Sequence, residues 1–350
     1  MAEITFEPVW FDSLGAKSSC TLVRTPDVSV LIDPGIAVMQ PSFPAPLAKK
    51  LYWEARGRLA IKRAASRADV VVISHYHYDH FTDFDRGLYE GKLLLAKNPN
   101  EYINDSQRGR AESFFANYCK AFGKCELADV LGEPSPKEYP NPLEDIPQAA
   151  NKDFGDYNRR RKELLRLGLK WFHNRVRRWN RALQIPELDF GKNRVRFPEG
   201  KELRFRRTRL RFTPPLFHGI EFSRVGWVFA TTVQRGRMRF MHSSDLSGIY
   251  IEDYADLIIR ENPHVLVLDG PPTYMGFMLI KTNLKRCVEN TCRVIRESSN
   301  LKLLIYDHHL LREKLYRKRT ESVWKTAERE GVKILTAAEY LGKTPVIDTC

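Results

Sequence analysis

The chain has 350 residues, 43% of them hydrophobic, 11% aromatic and 29% charged, with a net charge of +14, which is enough to bury a large core and too apolar for a disordered chain. No apolar run reaches the roughly 18 residues of a membrane helix, and Met1 to Phe6 show no basic-then-apolar leader, so membrane and secreted classes are set aside and a cytoplasmic protein is expected. Cys20, Cys119, Cys125, Cys287, Cys292 and Cys350 form no CxxC pair and no zinc-knuckle spacing, and are read as reduced thiols.

In chain order, residues 3–10, 19–25 and 28–33 read as strands, the third stopped by Asp33-Pro34-Gly35. A helix is expected over 47–66. Asp69-Val70-Val71-Val72-Ile73-Ser74 is a continuous β-branched run, the pattern of a strand buried on both faces. A strand at 91–97 and a helix at 101–122 follow. From 126 to about 157 the composition turns to Pro, Glu, Asn and Asp without periodicity, an excursion from the core. Strands are then expected near 203–213, 225–233, 237–242, 264–268, 302–306 and 332–336, and helices near 252–261, 282–299 and 311–330.

Between the two halves lies a helix whose Leu165, Leu169, Phe172, Val176, Trp179 and Leu183 recur at alternating spacings of 4 and 3. This seam is expected to pack on the body or to form a homo-oligomer through 165–183. The charge of the whole chain is concentrated around it. From Asn151 to Arg211, 20 lysines and arginines stand against seven acidic residues, a net of +13 out of the total +14. A segment of one sign attracts polyanions by counterion release and steering. Arg159, Arg160, Arg161, Arg175, Arg177, Arg178 and Arg181 are the expected contacts, with nucleic acid as the expected partner. Residues 126–202 are therefore read as a basic helical insertion in a core made of 1–125 and 203–350.

The buried strand runs into His75-Tyr76-His77-Tyr78-Asp79-His80. Three histidines and an aspartate within six residues, just past a core strand, are poor packing residues and good ligands. Alternation across a tight turn lets His75 and His77 share one cation, with Asp79 and His80 free for a second. Imidazole and carboxylate donors suit zinc, with iron or manganese as alternatives.

The His75-x-His77-x-Asp79-His80 signature resembles that of the metallo-β-lactamase superfamily, and four further motifs follow its order: Asp33 at a strand end, His218 in Phe212–Gly219, Asp245 in Met241–Asp245, and His308 in Ile305–His309. The Asp269-Gly270-Pro271-Pro272-Thr273-Tyr274 and Asp307-His308-His309-Leu310 stretches are similar to a largely archaeal branch of predicted hydrolases. The resemblance implies an α+β fold, a four-layer αββα sandwich with two divalent metal ions at one edge. His75, His77 and His218 would hold one ion, Asp79, His80 and His308 the other, and Asp245 would bridge them. Paired metals of this kind acidify a shared water, so the implied activity is metal-dependent hydrolysis.

Asp33 is then expected to orient a histidine ligand, with His242 as a further supporting residue. The tandem His308-His309 leaves the last ligand open; His308 is preferred, and His309 becomes a proton donor at the rim or a supporting group. Asp79 and His309 are the catalytic candidates. Only 62 residues separate Asp245 from His308, too few for the cap of the β-CASP nucleases. A phosphodiester, and nucleic acid in particular, is the expected substrate. The alternatives are a lactone, thioester or small ester, which would call for a closed and mostly apolar pocket, or a non-catalytic nucleic-acid-binding protein with a structural metal site.

Overall fold

The computed structural model describes residues 3–275 and 281–350. Two seven-stranded sheets pack face to face. The first contains β1 (Thr5–Phe11), β2 (Ser19–Arg24), β3 (Ser29–Ile32), β4 (Val70–Ile73), β5 (Leu93–Ala96), β6 (Leu188–Phe190) and β7 (Asn193–Arg196), in the order β1-β2-β3-β4-β5-β7-β6. The second contains β8 (Glu202–Phe205), β9 (Thr208–Phe212), then, beyond a two-residue ladder of β10 (Leu216–Phe217) and β11 (Trp227–Val228), β12 (Thr231–Arg235), β13 (Met238–His242), β14 (Val265–Asp269), β15 (Leu303–Asp307) and β16 (Lys333–Leu335). Its order is β16-β15-β14-β13-β12-β9-β8. Each sheet carries a run of four parallel strands, β3-β4-β5-β7 in one and β13-β14-β15-β16 in the other.

Side-chain alternation builds the layers. Val70 and Val72 of β4 face inward with Val30, Ile32, Phe212, Val233, Phe240, Val267 and Ile305, filling the space between the sheets. Val71 and Ile73 point the other way, into a core shared with α1 (Leu47–Ala65) and the helix at Asp105–Tyr118; on the far side, Met241, Leu266 and Leu304 meet the helices at Glu252–Glu261, Lys281–Glu297 and Glu321–Arg329. The result is the four-layer αββα sandwich. A β4 buried on both faces explains its uninterrupted apolar run.

Three expectations change. The strand expected over 203–213 is a hairpin, because Arg206 takes a positive φ of 52° and turns β8 back onto β9. The helix expected over 311–330 is broken into a short turn at Tyr316–Arg319 and the helix at Glu321–Arg329. The third concerns the insertion: residues 188–196 form β6 and β7, and β7 pairs in parallel with β5, so the last part of 126–202 completes the first sheet. A three-residue strand followed by the turn at Gly191-Lys192 left too short an alternation to read.

The parallel strands deliver the candidate site. Asp33 follows β3, His75 lies two residues beyond β4, Asp245 three beyond β13, and His308 directly after β15. All leave the same edge, where the carboxyl ends of parallel strands open a crevice.

Candidate metal centre

Backbone geometry turns each strand end into the crevice. Asp33, Ser244 and His308 all adopt positive φ, at 50°, 58° and 60°, a conformation that costs energy for a side-chain-bearing residue and clusters at functional sites. Gly35 permits the closest approach: a Cβ there would lie 2.2 Å from the backbone nitrogen of Phe81, so any larger residue would push β3 away from the His75–His80 turn.

Two donor clusters result. In the first, His75 Nε2 lies 3.1 Å from His77 Nδ1, His218 Nε2 lies 3.0 Å from Asp245 Oδ2, and His75 Nε2 lies 3.9 Å from the same oxygen. In the second, His80 Nε2 lies 3.0 Å from His308 Nε2, and His308 Nε2 lies 3.9 Å from Asp79 Oδ2. Asp245 Oδ2 belongs to both, at 3.4 Å from His80 Nε2 and 3.8 Å from His308 Nε2. Within each cluster the donor atoms lie within 4.8 Å of one another.

Supporting hydrogen bonds fix which nitrogen of each ring faces the crevice. Asp33 accepts from the Ser74 backbone N–H (2.9 Å) and hydroxyl (2.7 Å), and from His80 Nδ1–H (2.9 Å). His308 Nδ1–H donates to Asp12 Oδ1 (2.9 Å). With both Nδ1–H groups donating to these carboxylates, the two Nε2 atoms face each other at 3.0 Å. Such a contact is repulsive unless a cation, a proton or a metal ion, sits between them.

The electrostatics point the same way. Burial pushes the carboxyls of Asp12, Asp33, Asp79 and Asp245 up, yet each ends below the usual carboxylate range. Arg312 and His308 outweigh burial at Asp12, His80 at Asp33, His80 and His308 at Asp79, and His218 and His309 at Asp245. Arg312 is the one arginine or lysine hydrogen-bonded to these four among the described residues, at 2.5 Å to Asp12 Oδ2 and 3.3 Å to Asp79 Oδ2. Besides Arg312, the carboxylates raise His80 and His308 well above the ordinary imidazole value, so without metal the pocket is balanced by protons on these rings, in the places where bound cations would carry the same charge. Burial holds His75 well below its ordinary value and His77 at about 3, so both rings are neutral and ligand-ready. Burial also disfavours charge on His308, but Asp12 outweighs it and raises the ring to about 9. The donor set therefore fits divalent metal.

The remaining expected residues separate. His309 lies mostly buried with Nδ1 3.4 Å from Asp245 Oδ1, facing the crevice while His308 faces His80. Burial lowers the His309 pKa well below the ordinary value, which favours the neutral ring. His242 touches no donor of either cluster: it donates to the Ser19 carbonyl (2.9 Å) and accepts from the Ser244 N–H (3.0 Å), tying together two strand ends. Asp12 and Arg312 were not singled out by the sequence. An aspartate ending β1 resembles any turn residue, and only the meeting of elements 296 positions apart shows its role.

The arginines expected to face a polyanion divide as well. Arg161 is buried against Glu221 at 3.0 Å and Arg175 against Asp105 at 2.5 Å. Arg178 shares Asp105 at 2.6 Å, and Arg160 pairs with Glu163 at 2.7 Å. Arg159, Arg177 and Arg181 are exposed and have no carboxylate partner among the described residues. The apolar seam packs within the chain: Phe172 and Trp179 lie buried against Tyr102, Tyr139 and Trp227, so that face is already covered without a second copy. Leu183 lies beyond the helix end and is exposed.

A cavity of about 340 Å³ opens over the two clusters. His77, Asp79, His218, Asp245 and His309 form its floor, and Ile220, Val225, Tyr250, Tyr274 and Met275 contribute its wall. No lysine or arginine lines it among the described residues.

A β-sandwich flanked by helices, with ordered His and Asp clusters at one edge, defines the metallo-β-lactamase superfamily, whose family profile matches residues 15–116. A UPF0282 protein of Methanocaldococcus jannaschii is 31% identical over 350 residues, 96% of this chain and 91% of its own length. A UPF0282 protein of Methanopyrus kandleri is 32% identical over 351 residues, 96% and 93% of the two lengths. The chain belongs to this UPF0282 family. Among solved structures, the metallo-β-lactamase fold protein YhfI from Bacillus subtilis aligns over 96% of this chain and 98% of its own, at 13% identity and a TM-score of 0.41. No helix of the described residues is long and apolar enough to cross a membrane.

Proposed function

We propose that this chain is a binuclear metal-dependent hydrolase. The observation that supports the reading is the convergence of His75, His77, Asp79, His80, His218, Asp245 and His308 on one crevice, with His80 and His308 meeting nitrogen to nitrogen at 3.0 Å. His75, His77 and His218 would hold one divalent ion, Asp79, His80 and His308 the other, with Asp245 between them. Zinc suits this nitrogen-and-oxygen set, with iron or manganese as alternatives. Paired ions supply an acidified water and neutralise charge developing on the reacting group.

The protein's own residues do the positioning. Asp33 and Asp12 lock the tautomers of His80 and His308, and Arg312 anchors Asp79. Asp79 lines the floor of the cavity beside the donors. His309 offers the reacting group a neutral hydrogen-bonding ring, while the apolar wall excludes water from one side. We read the setting as cytoplasmic, in keeping with six unpaired cysteines.

A phosphodiester is the favoured substrate, because the basic α-helical segment covers the loop that forms the cavity rim. The second reading, a lactone, thioester or small ester, is favoured by the uncharged wall of the cavity. Metal analysis combined with hydrolysis of bis(p-nitrophenyl) phosphate and p-nitrophenyl acetate on one preparation tests both. Phosphodiester cleavage that disappears in Asp245→Ala supports the first; ester cleavage alone supports the second. A protein that binds metal and cleaves neither, across phosphodiester, ester, thioester and lactone probes, contradicts the hydrolase reading.

A further inference from the structure

The helix at Asn158–Trp179 divides its cations into two populations. Those facing the body are paired in place, Arg161 with Glu221 and Arg175 with Asp105, and the more exposed Arg178 reaches the same Asp105. Arg160, on the flank, is matched to Glu163. Lys162 is also exposed and unmatched but lies off to one side; the others are Arg159, Arg166, Lys170, Arg177 and, just past the helix end, Arg181. All five are exposed, and none has a carboxylate within ion-pair distance among the described residues. Spacings of 7, 4 and 7 keep the four helical ones within about 40° of one another at 3.6 residues per turn, a stripe roughly 27 Å long that Arg181 continues past the helix end.

This stripe lies opposite the apolar seam, and its helix is fastened to the rim of the cavity. Gly168 packs on Phe222, where a Cβ would lie 2.5 Å from the ring. Trp171 stacks on Trp227 with ring centroids 5.4 Å apart and planes 8° from parallel. Arg161 holds Glu221. The loop so clamped carries Ile220 and Val225 of the cavity wall. A solvated face built for solubility alternates charges of both signs; here the matched pairs sit to the sides and the unmatched cations align.

We propose that Arg159, Arg166, Lys170, Arg177 and Arg181 form a docking track for the phosphodiester backbone of a nucleic acid strand, holding it beside the cavity mouth. A row of five unpaired cations along a rigid rod matches a linear repeat of phosphates better than it matches one isolated anion, and guanidinium groups bind phosphate oxygens in pairs. As a statement about substrate this rests on the phosphodiester reading of the metal centre; as a statement about binding it stands apart from it.

The test measures binding of a fluorescein-labelled 20-nucleotide single-stranded RNA by anisotropy, with the protein chelated and then metal-loaded. The track variant is Arg166→Gln/Lys170→Gln/Arg177→Gln. The control is Lys302→Gln/Lys333→Gln/Lys343→Gln, which removes the same charge from exposed positions without ion pairs. The track variant should bind at least about 30-fold more weakly at low salt, and its log–log salt slope should fall by about 2, as expected for three lost phosphate contacts; the control should stay within about threefold. Equal losses in both variants would mean diffuse net charge alone and would overturn the track. So would unchanged RNA binding, or tighter capture by phosphatidylserine vesicles than by RNA. Track-dependent binding without cleavage by the metal-loaded protein would uphold the docking surface and reject the phosphodiester reading. Cleavage that survives in the track variant with unchanged KM would do the reverse.

Discussion

The metal centre and the basic helix hold charge in opposite ways. At the centre, buried carboxylates outnumber the guanidinium that touches them, and each ring and carboxyl is held by a named partner: His80 by Asp33, His308 by Asp12, Asp79 by Arg312. Along the helix, cations outnumber acids and the excess is left in solvent. Burial makes an unbalanced charge expensive, so the excess there is balanced by protons on the rings or by the bound cations that replace them. In water the same imbalance costs little, and it acquires meaning only through alignment and the absence of partners.

The sharpest way to break this contrast is at its centre. Asp245→Ala removes the oxygen common to both clusters and is expected to lower metal content by at least one ion per chain and hydrolysis by about 10³-fold or more. Retention of both ions, by plasma emission analysis, would show that the clusters act separately.

Next in size is the difference between buried and exposed arginines. Arg161→Ala leaves Glu221 buried with Arg286 as its remaining partner and should cost about 2–3 kcal/mol in urea unfolding. Arg166→Ala, on the exposed stripe, should change stability by no more than about 0.5 kcal/mol. Similar values for the two would erase the distinction between matched and unmatched cations.

Asp12→Asn should weaken the ion held by Asp79, His80 and His308 by about 10- to 100-fold while sparing the other, as loss of a supporting carboxylate does elsewhere. Titration calorimetry resolves the two sites, and equal weakening would argue against a local role.

A smaller effect is expected with pH. In the chelated protein His308 is raised to about 9 from an ordinary value of 6.5, so the folded state binds its proton more tightly than the unfolded state does. The stabilisation is complete below about pH 6.5 and is lost as pH rises through about 9. Tm of the chelated protein should fall by on the order of 5 °C across that window, and Asp12→Asn should flatten the decline. A rise in Tm over the same window would contradict the assignment of the Asp12–His308 pair.

The two regions also differed in how much the sequence disclosed. The residues of the two clusters were legible because chemistry and local spacing coincide: His75 to His80 lie within six positions, Asp245 and His308 follow readable strands, and His218 stands in a motif in the expected order. Their supports were not, since Asp12 and Arg312 reach the centre from opposite ends of the chain. On the helix the total charge was plain, but not its division. Whether Arg161 or Arg159 faces solvent depends on where Glu221 and Asp105 arrive, and neither lies in the helix. The same dependence on distant pairing hid β6 and β7, whose place beside β5 no local pattern announces.

The central claim, that the His and Asp clusters form one centre for two ions, is tested most directly by counting metal in the purified protein and in Asp245→Ala. The account predicts about two divalent ions per chain in the wild type and at most one in the variant. Wild-type protein that binds no divalent ion after dialysis against zinc, or a variant that keeps both, would contradict it.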